Sequence, residues 1–315
     1  MKRADHSYKN IGTILMYFGI RHEDFWHINY PVRKQDYDGR WYFWDIRKKA
    51  TWYQGKFDNN GIMLFIGEDG KEYYSVINLA QFALGSYEEY LSTHNQKWKD
   101  HFLRHADWLL ENQTTFNDCD GVWINRYPVK LFKIHEDWVS ALGQAFSISA
   151  LTRAYLETHD NKYLDAARKG MIPYTKPRQS GGVLVEHSGM KCLDEYTTGK
   201  PSCVLNGYIS AIWSLYDIAQ IDQTYESLFD EHVSNLADNL EKWDAGYWSW
   251  YDLWDEHEFI ASYFYHHLHV KQLQVLHALT GRKCFMKYAE KWASYEKNVF
   301  YSTKALLKKL SVRLR

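Results

Sequence analysis

The sequence has almost no net charge: 38 Lys and Arg residues face 39 Asp and Glu residues, for a formal −1. No global positive field recruits nucleic acid, and any site for an anion has to be local. Cysteine is scarce as well. Cys119, Cys192, Cys203 and Cys284 are scattered, with no Cys-x-x-Cys pair, so neither a zinc site nor a redox motif is indicated and isolated reduced thiols are expected. Long apolar runs are missing. The run over residues 11–20 is too short to span a bilayer. Behind Met1-Lys2-Arg3 it is like the apolar part of a signal peptide, but Arg21-His22-Glu23 follows where small residues would mark cleavage. A cytoplasmic protein without membrane contact is therefore expected. Coiled-coil heptads that would indicate an oligomeric state are absent too.

Aromatic residues are abundant: 14 Trp, 25 Tyr and 15 Phe. Tyr and Trp join a flat apolar face to a polar handle, which suits sugar rings as well as large cores and interfaces. With 315 residues, 45% of them hydrophobic, the chain is long enough for one large domain or a domain with an N-terminal appendage.

Residues 24–77 read as turns and short strands. Residues 42–44 and 62–66 are strand-like, with turn signals at Asp58-Asn59-Asn60-Gly61 and Glu68-Asp69-Gly70. From about Asn78 the apolar residues follow a helical period, as in Leu79, Phe82, Ala83 and Tyr87, or Trp138, Leu142, Ala145 and Ile148. The helices fall into pairs whose first members begin near residues 78, 138, 202 and 260, and a fixed period signals repeat architecture. Short connections join the two helices of a pair; long ones (114–137, 173–201 and 243–259) join successive pairs. Such loops in compact domains are usually functional, and these are expected to emerge at one end and form the site. The expected fold is mainly α: an (α/α) toroid of about four helical hairpins behind a short β-rich N-terminal segment. The expected divisions are an N-terminal extension with β-hairpin elements (1–77), a catalytic barrel (78–300) and a basic C-terminal tail (301–315).

Five elements then occur in a recognisable order. They are Ala80-Gln81-Phe82-Ala83-Leu84; Asp137-Trp138-Val139-Ser140-Ala141-Leu142-Gly143-Gln144, running on to Arg153-Ala154-Tyr155; Leu193-Asp194-Glu195-Tyr196-Thr197-Thr198 with Val204-Leu205-Asn206-Gly207-Tyr208 and Leu215-Tyr216-Asp217; Tyr251-Asp252-Leu253; and Tyr265-His266, then His269 and Gln272-Leu273-Gln274. Over residues 78–296 this order and spacing resemble the catalytic domain of the D-glucuronyl C5-epimerases. The resemblance implies a helical barrel of four hairpins after β-rich elements, no cofactor, and an acidic polysaccharide or oligosaccharide as substrate, with a homodimer as the family's usual assembly. It implies that Glu195 and Tyr265 are the opposed acid/base pair, with Tyr196 and Tyr251 assisting.

That chemistry removes a weakly acidic hydrogen alpha to a sugar carboxylate and returns one on the opposite face. It needs two proton-transfer groups and a positive or hydrogen-bonding partner for the carboxylate. A tyrosine, with a reference pKa of about 10, serves as base only where a cation favours its phenolate. Arg126 and Lys130, in the first long loop, are the basic candidates for the carboxylate. Gln81, Trp123, Asn206, His266 and His269 complete the expected substrate contacts. The histidines do not reproduce the His-Glu-x-x-His spacing, so no metal is expected.

The match departs from the family at Val122 in Gly121-Val122-Trp123, at Thr197 in place of proline, at Trp254 in place of arginine, at Ser262-Tyr263-Phe264 in place of Arg-Trp-Asp, and at His267 and Leu268 in place of two threonines. Fewer arginines point to a less charged uronic-acid glycan than a sulfated one. A uronate lyase or hydrolase, or a glycan-binding protein without activity, remain alternatives at this level.

Overall fold

The computed structural model describes residues 11–20, 38–197 and 199–313. The strand-like and turn readings over residues 24–37, Thr198 and the last two residues of the expected tail lie outside the described residues. The elements run α1 (Ile11–Met16), α2 (Lys48–Thr51), β1 (Phe65–Ile66), β2 (Glu72–Tyr73), α3 (Val76–Thr93), α4 (Gln96–Glu111), β3 (Thr114–Phe116), β4 (Cys119–Val122), β5 (Ile124–Asn125), β6 (Trp138–Val139), α5 (Ala141–Thr158), α6 (Asn161–Lys169), β7 (Leu184–His187), β8 (Met190–Leu193), α7 (Leu205–Ala219), α8 (Glu226–Asn239), α9 (Tyr263–Thr280), α10 (Lys283–Glu296) and α11 (Val299–Arg313). The protein is mainly helical. No described helix is long and apolar enough to cross a membrane.

The pairing seen in the sequence is physical: α3 packs on α4, α5 on α6, α7 on α8 and α9 on α10. The first member of each pair is the inner helix. Every residue of α7 is buried, whereas on α8 only a stripe of Phe229, His232, Val233 and Leu236 is. Inner helices also pack side by side, α3 on α5, α5 on α7 and α7 on α9. Polar links seal these contacts. Arg153 of α5 meets Asp217 of α7 at 2.7 Å with both side chains fully buried. Such a pair is costly to break, because the remaining charge would be left uncompensated. The last of these helices ends as its sequence dictates: α9 stops at Gly281, whose φ of 71° is the left-handed conformation glycine adopts without penalty.

The long connections carry more regular structure than their sequences suggest. β3 pairs with β4, β5 with β6 and β7 with β8, each as a two-stranded antiparallel ladder, the last in the register Leu184↔Leu193 and Val185↔Cys192.

Two strand readings are corrected. Residues 42–44 form no strand. Their backbone is tied instead by side chains of the inner helices: the Tyr42 and Ile46 N–H groups donate to the Glu88 carboxylate at 2.9 and 2.8 Å, and Arg153 donates to the carbonyls of Arg40 and Trp41. With ladder partners replaced in this way, the aromatic rings plug the space beside α7, Phe43 and Trp44 lying 4.9 and 4.8 Å from the Trp213 ring. In the 62–66 run only Phe65–Ile66 is strand, paired with β2, while Met63 makes a single bridge to Phe57. The segment expected to be a basic tail is the helix α11. Its buried face, Ser302, Ala305 and Lys309, follows a helical spacing, and the Lys309 ammonium donates to the Ile260 carbonyl at 3.0 Å.

Candidate active site

The N-terminal turns of the four inner helices converge on one cavity of about 320 Å³. α3 supplies Ile77, Asn78 and Gln81; α5 supplies Leu142 and Phe146; α7 supplies Asn206 and Ser210; α9 supplies Phe264, Tyr265 and Leu268. The long connections add Tyr127, Pro128, Val129, Glu195 and Tyr196, and the N-terminal region adds Trp44, Asp45, Lys48, Lys49, Phe65 and Glu68.

Glu195 and Tyr196 follow β8, and the acid before them fixes their place. Asp194 is fully buried; it accepts hydrogen bonds from the backbone N–H groups of Ser202 and Cys203 and from the Ser202 hydroxyl. That closes residues 194–203 into a loop whose Asp194 carbonyl also accepts the first N–H of α5, from Ala141 at 2.9 Å. Tyr251 is fixed from the next connection. Its carbonyl accepts the Leu205 N–H at the start of α7, and Leu253 N–H donates to Ser202. Tyr265 stands in the first turn of α9, where its N–H donates to the N-cap hydroxyl of Ser262 at 3.4 Å.

These four residues form a contiguous network. Tyr196 is hydrogen-bonded through its side chain to Glu195 and to Tyr251, and the Tyr251 ring lies edge-on to Tyr265 at 4.7 Å. Tyr196 is held in plane by stacking on Phe132 at 4.0 Å and Trp138 at 5.5 Å. Asn206 donates to Glu195 Oε2 at 3.4 Å, and its own Oδ1 has no hydrogen-bond partner among the described residues. Burial pushes the Glu195 carboxyl up to about 8, with the hydrogen bond from Tyr196 opposing the rise and the charges of Asp194 and Asp252 adding to it. Burial and the Glu195 charge hold the phenols of Tyr196 and Tyr251 well above their ordinary value, so both are neutral O–H donors near pH 7.

Gly207 makes room for Glu195. A Cβ added there would lie 2.4 Å from Glu195 Oε2 and 2.9 Å from its Cβ. Overpacking costs about 1–3 kcal/mol, of which the better helix propensity of alanine offsets about 1 kcal/mol, so Gly207→Ala is expected to lower thermal stability only modestly. It should still lower proton-transfer activity by roughly ten- to a hundredfold, by displacing the carboxylate. Unchanged activity would show that the position of Glu195 is not critical.

Five of the expected site residues line the cavity: Gln81, Glu195, Tyr196, Asn206 and Tyr265. Tyr251 lies directly behind. The others are elsewhere. Trp123 is buried, its indole N–H donating to the Leu109 carbonyl at 2.7 Å. Arg126 is exposed and sits 3.3 Å from Asp137, outside the cavity, and Lys130 is exposed beside Glu68 without lining it. His266 and His269 are fully buried and turned toward Ser249 rather than lining the cavity. The Ser249 N–H donates to His266 Nδ1, so His266 Nε2 carries the proton given to the Trp292 carbonyl at 3.0 Å. Burial pulls His266 down to about 4, so it is neutral and adds no positive potential around Tyr265. Of the departures, Trp254 packs behind Phe132 and His267 faces Glu296, whereas Leu268 lines the cavity.

The family description "D-glucuronyl C5-epimerase C-terminus" matches residues 117–294, more than half of the chain. The chain belongs to this family. Glu195, Tyr196, Tyr251 and Tyr265 all fall inside the matched span, whereas Lys48, Lys49 and Gln81 fall outside it. A D-glucuronyl C5-epimerase of Caenorhabditis elegans is 30% identical over 217 residues, 62% of this chain and 34% of that protein. An uncharacterized protein of Methanocaldococcus jannaschii is 29% identical over 177 residues, 54% of this chain and 56% of that one. The chain thus spans between a third and rather more than half of these two relatives. Among solved structures, a polysaccharide lyase superposes with TM-score 0.46 at 15% identity, covering 81% of this chain and 36% of that one. A family 76 glycoside hydrolase, a mannosidase from Bacteroides thetaiotaomicron, superposes with TM-score 0.41 at 12% identity, covering 72% and 61%. Both scores are too low to bear on this epimerase-family site.

Proposed function

We propose that the protein is a C5-epimerase of uronic acid residues in a polysaccharide, of the glucuronate-to-iduronate type. The observation that supports this best is the network Glu195–Tyr196–Tyr251–Tyr265, drawn from three separate chain segments and opening on one cavity. In this reading the inner helices are the staves of an (α/α) toroid and the cavity is its mouth. The cavity receives the uronate with its C5 hydrogen toward one proton-transfer group and the opposite ring face toward the other. As a carboxylate, Glu195 accepts the C5 proton. The Tyr265 hydroxyl then gives a proton to the other face. The reverse reaction exchanges the two roles. Tyr196, kept neutral, donates a hydrogen bond that steadies Glu195 in its charged state, and Tyr251 in turn donates to Tyr196.

The test is incubation with heparosan and its N-sulfated form in deuterated water, following the C5 position by NMR. Deuterium at C5 with both epimers present, and no unsaturated sugar absorbing in the ultraviolet, is the expected result. An unsaturated product would make the protein a lyase that expels the C4 oxygen from the same carbanion. Saturable binding without exchange would make it a glycan-binding protein.

A further inference from the structure

The element Gln272-Leu273-Gln274 takes no part in the proton transfer described above, yet Gln272 is fully buried within α9. It stands seven residues past Tyr265, which on a helix is about two turns and nearly the same face. Tyr265 and Leu268 line the cavity; Gln272, deeper in the helix, does not. Its amide reaches across to α7 instead. Nε2 donates to the Asn206 carbonyl at 3.0 Å and to the Ser210 hydroxyl at 3.4 Å, and that hydroxyl donates to the same carbonyl at 2.8 Å. Glu195 is seated on this turn of α7: Asn206 Nδ2 donates to Glu195 Oε2 at 3.4 Å, and Gly207 leaves the carboxylate no room for a side chain beneath it. Tyr265 rides on α9 itself. One buried amide therefore joins the helix that carries one proton-transfer group to the turn that seats the other.

We propose that Gln272 is a positioning residue for the proton transfer: by clamping the first turns of α7 to α9 it sets Glu195 against Tyr265 and keeps the Asn206–Glu195 hydrogen bond made. That role rests on the reading of Glu195 and Tyr265 as the opposed acid/base pair.

The chemistry asks for such a clamp. A proton taken from one face of a sugar ring and returned to the other needs two groups at a fixed separation, and a displacement of about 1 Å can cost a hundredfold in rate. Apolar packing is not directional enough for that. The buried neighbours of Gln272 on α9, Leu268, Val270, Leu273 and Leu276, supply contact area. A methionine or leucine at 272 would add to it without the desolvation that a buried amide carries. What the amide adds is direction, with both of its N–H groups committed to one turn of α7. The choice of acceptor matters as well. The Asn206 carbonyl belongs to the residue whose own side chain meets Glu195, so a shift of that peptide is passed directly to the carboxylate.

The test compares Gln272→Met and the shorter Gln272→Leu with the unaltered protein. Both should fold. The Asn206 carbonyl keeps the Ser210 hydroxyl, the start of α7 keeps the Leu205 N–H bond to the Tyr251 carbonyl, and Gln272 Oε1 accepts from no described residue, so its loss strands no donor among them. Thermal midpoints should stay within about 4 °C of the unaltered protein. Because Gln272 lies outside the cavity lining, calorimetric affinity for a heparosan oligosaccharide should stay within about twofold, while deuterium incorporation at C5 falls by roughly ten- to a hundredfold. A second readout needs no turnover: carbon-13 NMR follows the titration of the Glu195 carboxyl, raised to about 8 in the fold. The groups facing that carboxyl are Asp194, Asp252, Tyr127, Tyr196, Tyr251 and Asn206. Gln272 reaches it through Asn206, whose hydrogen bond opposes the rise, so both variants should move the midpoint further up. Gln272→Glu, kept neutral by burial, can still donate through its O–H and should keep the midpoint and most of the exchange. A merely structural glutamine would lower the thermal midpoint and leave the Glu195 titration where it is. That result, or exchange that both apolar variants leave within about threefold of the unaltered rate, would overturn the clamp. Failure of the epimerase reading looks different: no protein would exchange deuterium at C5, while the Met and Leu variants would still shift the Glu195 titration.

Discussion

Tyr265→Phe is expected to reduce deuterium incorporation at C5 by about a thousandfold, the middle of the range for a lost acid or base, while oligosaccharide affinity changes little. The substitution removes one oxygen and keeps the ring. The phenyl group still packs against Tyr251, at a centroid distance of 4.7 Å, and against Phe264 at 5.0 Å. The backbone position is set independently, through the Tyr265 N–H bond to Ser262. The half-buried side chain lines the cavity, so the change falls on the face that meets substrate. Exchange measured by NMR, beside a calorimetric affinity for the same oligosaccharide, separates chemistry from binding. Activity within tenfold of the unaltered protein would remove Tyr265 from the acid/base pair and leave Glu195 with another partner.

The parts legible in the sequence were those carried by local pattern. The inner helices start at Val76, Ala141, Leu205 and Tyr263, close to where the apolar period placed them, because each carries a broad buried face, complete in α7, and they are punctuated by caps such as Ser140, Ser262 and Gly281. Placement of the long connections at the helix N-termini followed from the same period. The illegible parts depended on partners remote in sequence. Residues 42–44 look like a strand, but the stretch around them is held by Glu88 and Arg153. Lys48 and Lys49 carry no motif, and only the docking of α2 on α3 brings them to the cavity. Arg126 and Lys130 had the right chemistry in the right loop, yet the β5–β6 ladder turns that stretch so that Arg126 meets Asp137 instead. His266 and His269 flank the key tyrosine in sequence. On α9, however, the cavity is met by Phe264, Tyr265 and Leu268, and His269, only about 40° round the helix from Tyr265, lies on the edge it shares with His266, where both hydrogen-bond Ser249.

Glu195→Gln is expected to abolish exchange at every pH and, at the same time, to make the protein more stable in alkali. Both effects come from the same buried carboxyl. Its ordinary value of 4.5 is raised to about 8 in the fold, chiefly by burial. Between those two pH values the unfolded chain has lost this proton while the folded chain keeps it, so the unfolded state binds fewer protons and stability falls as pH rises. The decline begins near 4.5 and levels off above about 8, by which point the contribution lost is on the order of a few kcal/mol. Glutamine cannot ionise. The variant should therefore match the unaltered protein near pH 4.5 and exceed it at pH 9, as followed by thermal or urea unfolding across that range. Its slope should flatten without vanishing, because Glu88, also raised to about 8, and Asp194, raised to about 6, titrate in the same direction. In the unaltered protein the exchange rate should climb through about pH 8 as the Glu195 carboxylate forms. The variant has no such base, and a loss of about a thousandfold or more is expected. Two outcomes would sink the assignment separately. Exchange within tenfold of the unaltered protein would show that Glu195 is not the base. Parallel stability curves for the two proteins would show that its carboxyl is not held neutral by the fold, and the alkaline rise in rate would then need another group.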